Sequence, residues 1–143
     1  CSRNLRNAGK FLRKIPALRK LREQVQDKAN DHGFVRGLDG RRVPVRSTHA
    51  SLNTLLQSAG AIICKRWVVM LHDMLEAEGY SYGQDYAQVA FVHDEVQLMV
   101  KDEHVDSIGR IAVEAIKFSG EYYGFRIPLT GEYRVGRSWA DTH

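Results

Sequence analysis

The spacing of apolar residues predicts a first helix directly after Pro16. Proline is favoured in the first turn of a helix, and apolar residues then recur at helical intervals, so we expect a helix over residues 17–30. Residues 34–36 and 42–45 follow as two short apolar segments on either side of an Asp-Gly turn. This arrangement is typical of a β-hairpin.

A second and much longer helix is predicted to begin at Ser47 or Thr48, either of which can cap it, and to run to about Glu78. Gly79 supplies a typical helix end. The residues expected on its buried face are Leu52, Leu55, Leu56, Ala59, Ile63, Trp67, Met70, Leu71 and Met74. A separate line of residues along the helix has polar side chains at its start and small ones afterwards. It consists of His49, Asn53, Gln57, Gly60 and Cys64. We interpret this line as a face that something large approaches closely.

The rest of the chain predicts a second hairpin, a third helix and a strand. Apolar residues 89–92 and 96–100 form the arms of the hairpin, and Asp102 can cap a helix over residues 103–122. Apolar residues alternate over 125–129, which predicts a strand. The elements together predict an α+β fold, in which a small antiparallel sheet carries the turn of the second hairpin and long helices pack on one face.

His93-Asp94-Glu95 interrupts the apolar arms of the second hairpin and is the most informative triplet of the sequence. Carboxylates are depleted in strands, and burying one without a cationic partner is strongly unfavourable. A tight turn would present Asp94 and Glu95 together at its tip, where a divalent metal could compensate them. Hard cations such as Mg²⁺ prefer carboxylate oxygens, and phosphoryl transfer often uses two of them. A salt-bridged surface turn is the alternative interpretation.

Charge is distributed unevenly along the chain, although the net charge is only +4. Residues 1–46 hold 13 Lys and Arg against 4 Asp and Glu, a balance of +9, whereas residues 47–143 hold 8 against 13, a balance of −5. The basic block continues through Arg41, Arg42 and Arg46. Such a block is typical of a segment that binds a polyanion such as nucleic acid, although a solvated helix face gives the same pattern.

His49, Asn53 and Gln57 carry hydrogen-bond donors that suit the minor groove of duplex DNA. The groove presents acceptors at equivalent places in every base pair, so these donors could bind without reading sequence, and a mispaired base would lose the bond. The alternative is that they are ordinary solvent-facing residues of a helix.

The composition argues for an intracellular setting. No apolar run approaches the roughly 20 residues of a membrane span, and no signal peptide is visible. Cys1 and Cys64 are too few for a disulfide framework, which indicates a reducing compartment. The chain begins with Cys rather than Met, so we expect residue 1 to be a processed end, an engineered boundary or a splice junction.

Two segments resemble motifs of the family A (Pol I-like) DNA polymerases. Residues 92–96, Val-His-Asp-Glu-Val, are similar to motif C of that family, and residues 52–61 are similar to its minor-groove helix. The form of residues 38–49 and the ending from Trp139 are closest to the replicative polymerases of T-seven-type podophages. The resemblance covers the chain from about Pro16 to its end.

The resemblance implies a role for each candidate residue. Asp94 would be one of two metal-binding catalytic aspartates, Glu95 its acidic neighbour at the metal site, and His93 would help to hold the primer end. Gln57 and Asn53 would contact the minor groove near the primer terminus. The remaining implied DNA contacts are His49, Arg41, Arg42 and Arg46.

The resemblance also implies that this chain is only part of an enzyme. The family's other catalytic aspartate has no counterpart in it, and neither has the dNTP-binding fingers helix, the exonuclease or the thumb. We expect residues 1–46 to be a fingers/palm-proximal segment, and residues 47–143 to be the C-terminal palm portion. Its two-ion Mg²⁺ site would be completed by an aspartate outside the chain.

The partners implied are primer-template DNA, a dNTP and the N-terminal remainder of the polymerase, in the cytoplasm of a bacterial host if the chain is phage-encoded. No membrane is expected. A non-catalytic nucleic-acid-binding module is the main alternative, and a metal-dependent nuclease is a third possibility. Asp94 distinguishes the polymerase portion from the binding module, because only an enzyme would require its carboxylate for activity.

Overall fold

The computed structural model describes residues 15–142, so the basic segment before them and His143 lie outside the described residues. The chain divides into two compact units, of which the first ends at Ala59 and the second begins at Gly60. Each unit has its own small hydrophobic core. The expected domain division after residue 46 stays a prediction.

The first unit packs a helix against a two-stranded hairpin. Helix α1 runs over Pro16–His32, and strands β1 (Phe34–Arg36) and β2 (Arg42–Pro44) pair antiparallel. Both predicted elements are confirmed. Gly33 ends the helix with a φ of 72°, in the left-handed region that glycine adopts without steric cost. The core consists of Val25, Ala29 and Val35, with Val43, Val45 and Leu55 packed against them.

A short 3₁₀ turn over Thr48–Ala50 separates this hairpin from the long helix. The predicted side-chain cap at Ser47 is wrong, because the inserted turn leaves its hydroxyl without a capping hydrogen bond. Thr48 Oγ1 instead donates to Asn30 Oδ1 at 2.5 Å and ties the turn to α1. Ser51 Oγ donates to the Thr48 carbonyl at 2.7 Å, which helps the chain enter the helix.

Helix α2 runs over Ser51–Ala77 and confirms the predicted long helix, but its predicted buried face is only partly right. Leu71 is buried as expected, and Leu75, which was not predicted, is 0% exposed. Leu56 was expected inside and is 58% exposed. Helical periodicity gives the apolar side of a helix, whereas burial also requires a neighbouring element at that turn.

The second unit packs helices on one face of a small antiparallel sheet, as predicted. Strands β3 (Tyr86–Val92) and β4 (Glu95–Val100) form the sheet, and helix α3 runs over Val105–Tyr122. Their shared core comprises Leu71, Leu75, Tyr86, Ile108 and Ala115, with Leu98, Val100, Ile111 and Ala112 among the residues packed against it.

The hairpin is less buried than its apolar sequence predicts. Val89, Phe91 and Met99 are exposed, Met99 to 67%. The apolar arms of this hairpin are therefore only partly buried. Among the described residues the sheet has only two strands. Its Tyr86, Leu98 and Val100 side chains pack in the core with the helices, whereas Val89 and Met99 are exposed.

The C-terminal segment differs most from the sequence prediction. Asp102 does not cap α3, because a 3₁₀ turn over Asp102–His104 precedes the helix and no side-chain capping bond forms. Residues 125–129 form no strand, and Ile127 is 77% exposed. Within the described residues the segment pairs with no strand, and Leu129 at its end packs against Gly120 of α3. The chain then forms a short helix α4 over Trp139–Thr142.

By length and composition alone, Thr48–Ala77 is long and apolar enough to cross a membrane, which the sequence analysis did not anticipate. Core helices of soluble proteins pass the same test. Lys65 and Arg66 interrupt the apolar sequence, and the C-terminal part of the helix supplies Leu71 and Leu75 to the core of the second unit. Only 11% of the apolar window is buried, so the helix meets the length and composition of a span while its C-terminal part packs in the core of the second unit.

Candidate functional site

The His-Asp-Glu triplet lies at a two-residue turn, as the sequence predicts. Val92 pairs with Glu95 at the ends of β3 and β4, so His93 and Asp94 form the loop between them. His93 has a φ of 55°, and it is the non-glycine residue with positive φ among residues 15–142. Histidine tolerates this left-handed conformation better than bulky or β-branched residues do. Both His93 and Asp94 are exposed, so the turn offers the Asp94 carboxylate to solvent.

Glu95 does not accompany Asp94 at the tip, which corrects the sequence prediction. Glu95 is the first residue of β4 and is half-buried. Its Oε1 accepts a hydrogen bond from Gln97 Nε2 and another from Trp139 Nε1, the latter at 3.1 Å. The two carboxylates therefore have different environments, one open at the turn and one held by side-chain donors.

Asp94 does not take part in the ion pairs found within residues 15–142. The alternative of a salt-bridged surface turn thus finds no support at this carboxylate. In the same part of the chain, no group of three or more His, Cys, Asp or Glu side chains gathers in a way that could hold a metal ion. Asp94 and Glu95 provide oxygen donors of the type that Mg²⁺ prefers, but fewer than a complete site needs.

Cys64, which lies on the part of α2 that belongs to the second unit, interacts electrostatically with Asp94 of the turn. Partial burial raises the pKa of the Cys64 thiol above its ordinary value, and the negative charge of Asp94 raises this pKa further. Both effects disfavour the thiolate. The small residue that ends the predicted line along α2 therefore lies within electrostatic reach of the acidic turn.

Replacing Asp94 with asparagine should lower the pKa of Cys64, because it removes a negative charge that opposes thiolate formation. The pH dependence of iodoacetamide alkylation, measured in a Cys1→Ser background, reports this pKa because only the thiolate reacts. The midpoint should move to lower pH in Asp94→Asn. Asp73→Asn, an exposed aspartate on the same helix, is the matched control and should leave it in place. An unchanged midpoint in Asp94→Asn would contradict the electrostatic coupling.

The candidate minor-groove residues lie on exposed surface of the first unit. Asn53 and Gln57 are exposed and one helical turn apart on α2, and His49 is exposed in the 3₁₀ turn before it. Their donors are thus available to a ligand that approaches this face.

The candidate arginines belong to the hairpin of the same unit and the segment after it. Arg41 pairs with Asp39 at 2.6 Å, and this hydrogen bond holds the pKa of Asp39 below its ordinary value. The Arg42 guanidinium lies 5.0 Å from the centre of the Phe34 ring, and Arg46 is exposed. The structure therefore places the candidate DNA contacts in the first unit and the acidic turn in the second.

Gln97 and Trp139 are the contacts of Glu95 that sequence reasoning missed. Glu95 and Gln97 lie two residues apart on a strand, so their side chains share a face, and this signal was available from the sequence. Trp139 is 44 residues from Glu95 along the chain. No local pattern connects these two residues.

Comparison with known proteins agrees with the resemblance seen in the sequence. Residues 6–141 match DNA polymerase family A. The chain is 38% identical to a DNA-directed DNA polymerase of Enterobacteria phage T3 and 39% identical to that of Escherichia phage T7, over 94% of its length in both cases. It spans only 21% of the length of these two relatives. A DNA polymerase I of Pseudomonas aeruginosa is 26% identical over 94% of the chain.

Among solved structures, the polymerase domain of Pol1 from M. smegmatis, in complex with DNA primer-template and dNTP, has the same fold. The TM-score is 0.77 and the sequence identity 20%, and the match covers 94% of this chain and 25% of that one. The family match extends over nearly the whole sequence and includes both the long helix and the acidic turn. The chain therefore belongs to DNA polymerase family A.

Proposed function

We propose that this chain is the C-terminal palm portion of a phage-type DNA-directed DNA polymerase, which requires the rest of the polymerase for template-directed nucleotidyl transfer. The observation that carries the proposal is the two-residue turn, which leaves the Asp94 carboxylate exposed at the end of a hairpin. Family membership and 38–39% identity to the phage polymerases support it. The setting that follows is the cytoplasm of a bacterial host.

The chemistry of the acidic turn fits Mg²⁺ as the metal of this reaction. Asp94 would hold the ion through its carboxylate, Glu95 would lie beside it, and an aspartate outside this chain would complete the set of ligands. When bound, a pair of such ions activates the attacking oxygen and stabilises the leaving group of a phosphoryl transfer. The turn itself contributes an anionic group on a short loop whose conformation is fixed by the pairing of β3 with β4.

His93 and the exposed donors of the first unit would position the nucleic acid. The His93 ring directly precedes Asp94 on the turn, where it could hold the primer end. Asn53 and Gln57 would donate hydrogen bonds to minor-groove acceptors near the primer terminus. His49 and the arginines Arg41, Arg42 and Arg46 would interact with the DNA backbone, to which positive charge contributes affinity without sequence preference.

Primer extension tests the proposal directly. The chain alone should not extend a primer, and the chain combined with the N-terminal remainder of the polymerase should, with a dependence on Mg²⁺. The remainder alone is the control and should be inactive, since it lacks Asp94. Robust extension by the isolated chain would contradict the requirement for the remainder, and no extension by the combined parts would contradict the function.

Replacing Gln57 with alanine should relax discrimination against a mispaired primer end. With a matched primer end, the variant loses the hydrogen bond between Gln57 and the minor groove, which is worth about 1 kcal/mol. With a mispaired end this bond is already absent, so the substitution changes little. The ratio of extension rates from matched and mismatched primers should fall by about fivefold to tenfold. Gln84→Ala, an exposed glutamine in the second unit, is the matched control and should keep the ratio of the original protein. An unchanged ratio in Gln57→Ala would argue against the minor-groove contact.

A further inference from the structure

We propose that Trp139 is a positioning residue for Glu95 and that the C-terminal segment works as a strap that orients this carboxylate beside Asp94. The strap comprises residues 129–139, of which Leu129 and Tyr133 contact α3 and Trp139 contacts Glu95 at the start of β4. The inference rests on the proposed polymerase function for its catalytic consequence, but the contact itself can be tested without activity.

The end of the strap reaches the Glu95 carboxylate directly. The indole Nε1–H of Trp139 donates to Glu95 Oε1 at 3.1 Å, and Gln97 Nε2 donates to the same oxygen. Hydrogen bonds to an ionised carboxylate are stronger than those between neutral groups. Two donors on one oxygen fix the rotation of the carboxyl group, so that the orientation of Glu95 depends on where the strap places the indole.

Two glycines of α3 leave space on the helix surface, which we call the glycine notches, where side chains of the strap pack. A Cβ atom at Gly109 would lie only 2.5 Å from the Tyr133 ring, and one at Gly120 would lie 2.9 Å from Leu129 Cγ. A side chain at either position would force the Tyr133 ring or the Leu129 side chain to shift from its place on the helix. Gly109 and Gly120 are buried, which confirms that the strap covers them.

Polar contacts hold the strap between the notches and Trp139. The Tyr133 hydroxyl donates to Asp106 Oδ1 at 3.4 Å, and Arg137 Nη2 donates to Asp102 Oδ2 at 3.4 Å. The Asp141 carboxylate accepts hydrogen bonds from the backbone N–H of Arg137 and from the backbone N–H and hydroxyl of Ser138, at 2.9–3.0 Å. These bonds lower the pKa of Asp141, chiefly through Ser138. They fix the start of α4, from which Trp139 projects.

Trp139 contributes little to the core of the protein. It is 47% exposed, whereas Trp67 packs against the core of the second unit and donates to the Ala112 carbonyl at 2.8 Å. The two tryptophans therefore form a natural pair for comparison. Each donates one indole hydrogen bond, but only Trp139 donates to a residue of the His-Asp-Glu triplet.

The catalytic test is a double-mutant cycle between Trp139→Phe and Glu95→Gln in the complete polymerase. Phenylalanine keeps an aromatic ring and removes the N–H. Trp139→Phe should lower kcat about tenfold, the effect of one hydrogen bond to a charged group, and leave the affinity for primer-template and the KM for dNTP unchanged. In the Glu95→Gln background the same change should have a much smaller effect, because the two residues act as one unit.

Gly109→Ala tests whether disturbing the packing of the strap on α3 lowers kcat through Trp139 and Glu95. It should lower kcat in the same direction as Trp139→Phe and should also lose its effect in the Glu95→Gln background. Trp67→Phe is the matched control, which should lower stability and leave kcat of the folded protein unchanged. Equal losses of kcat from Trp139→Phe with and without Glu95, or no loss at all, would overturn the positioning role.

A spectroscopic readout separates this inference from the proposed function. The chain has two tryptophans, so 5-fluorotryptophan labelling gives two ¹⁹F resonances, which the Trp67→Phe and Trp139→Phe variants assign. Glu95→Gln and Gly109→Ala should each shift the Trp139 resonance and leave that of Trp67 in place. If the reconstituted polymerase proves inactive but these shifts occur, the function fails and the strap stands. If Glu95→Gln leaves the Trp139 resonance unmoved, the strap contact is wrong whatever the activity.

Discussion

Replacing Asp94 with alanine is expected to lower kcat for nucleotide incorporation by about a thousandfold or more in the reconstituted polymerase. Loss of a metal-ligating carboxylate removes several kcal/mol of transition-state stabilisation, and each 1.36 kcal/mol corresponds to about a factor of ten in rate. The affinity for primer-template should be largely retained, since the candidate DNA contacts lie in the first unit and the substitution removes a negative charge. Single-turnover incorporation and fluorescence anisotropy measure the two effects.

The same variant distinguishes the alternatives for this chain. A non-catalytic nucleic-acid-binding module would show little change in any property on Asp94→Ala. A metal-dependent nuclease would lose degradation of DNA rather than extension of a primer. Asp73→Ala, an exposed aspartate on α2, is the matched control and should keep full activity. Equal activity of Asp94→Ala and the original protein would exclude the catalytic role of the turn.

The second large effect expected is on stability. Leu75 is completely buried in the core of the second unit, against α3 and the hairpin. Leu75→Ala should lower the free energy of unfolding by about 2–5 kcal/mol, because it removes buried methyl groups and leaves a cavity. Urea unfolding of the chain, followed by far-UV circular dichroism, measures the change.

Leu56→Ala provides the control for Leu75→Ala with the same chemical change on the same helix. Leu56 is largely exposed in this chain, so its truncation should change the free energy of unfolding by no more than about 0.5 kcal/mol. Similar losses at the two positions would contradict the assignment of the buried face of α2.

Much of the fold could be predicted because it depends on interactions between residues close in sequence. Pro16 and Gly33 mark the limits of α1, and the Asp-Gly turn joins β1 to β2. The turn at His93-Asp94-Glu95 follows from apolar arms on either side of three polar residues, although Glu95 belongs to the strand. In each case the turn or helix end is set by backbone preferences of a few neighbouring residues.

Burial and the C-terminal segment could not be predicted in the same way. Periodicity placed Leu56 on the apolar side of α2, but none of the elements within residues 15–142 covers it. Alternation over residues 125–129 predicted a strand, yet a strand needs a partner with free backbone groups, and the segment packs on the glycine notches of α3 instead. Apolar patterns show which residues can be buried, whereas the positions of neighbouring elements decide which of them are.

The sequence by itself determined that an acidic turn joins two apolar strands and that a long helix with polar residues near its start precedes it. Those features depend on local periodicity and turn chemistry, whereas the family was indicated by the resemblance of residues 92–96 and 52–61 to its motifs. Only the tertiary structure decided that His93 and Asp94 form the tip while Glu95 lies in the strand and accepts a hydrogen bond from Trp139. The physical reason is that a hydrogen bond across 44 residues exists only when the packing of the strap on α3 brings its two partners together.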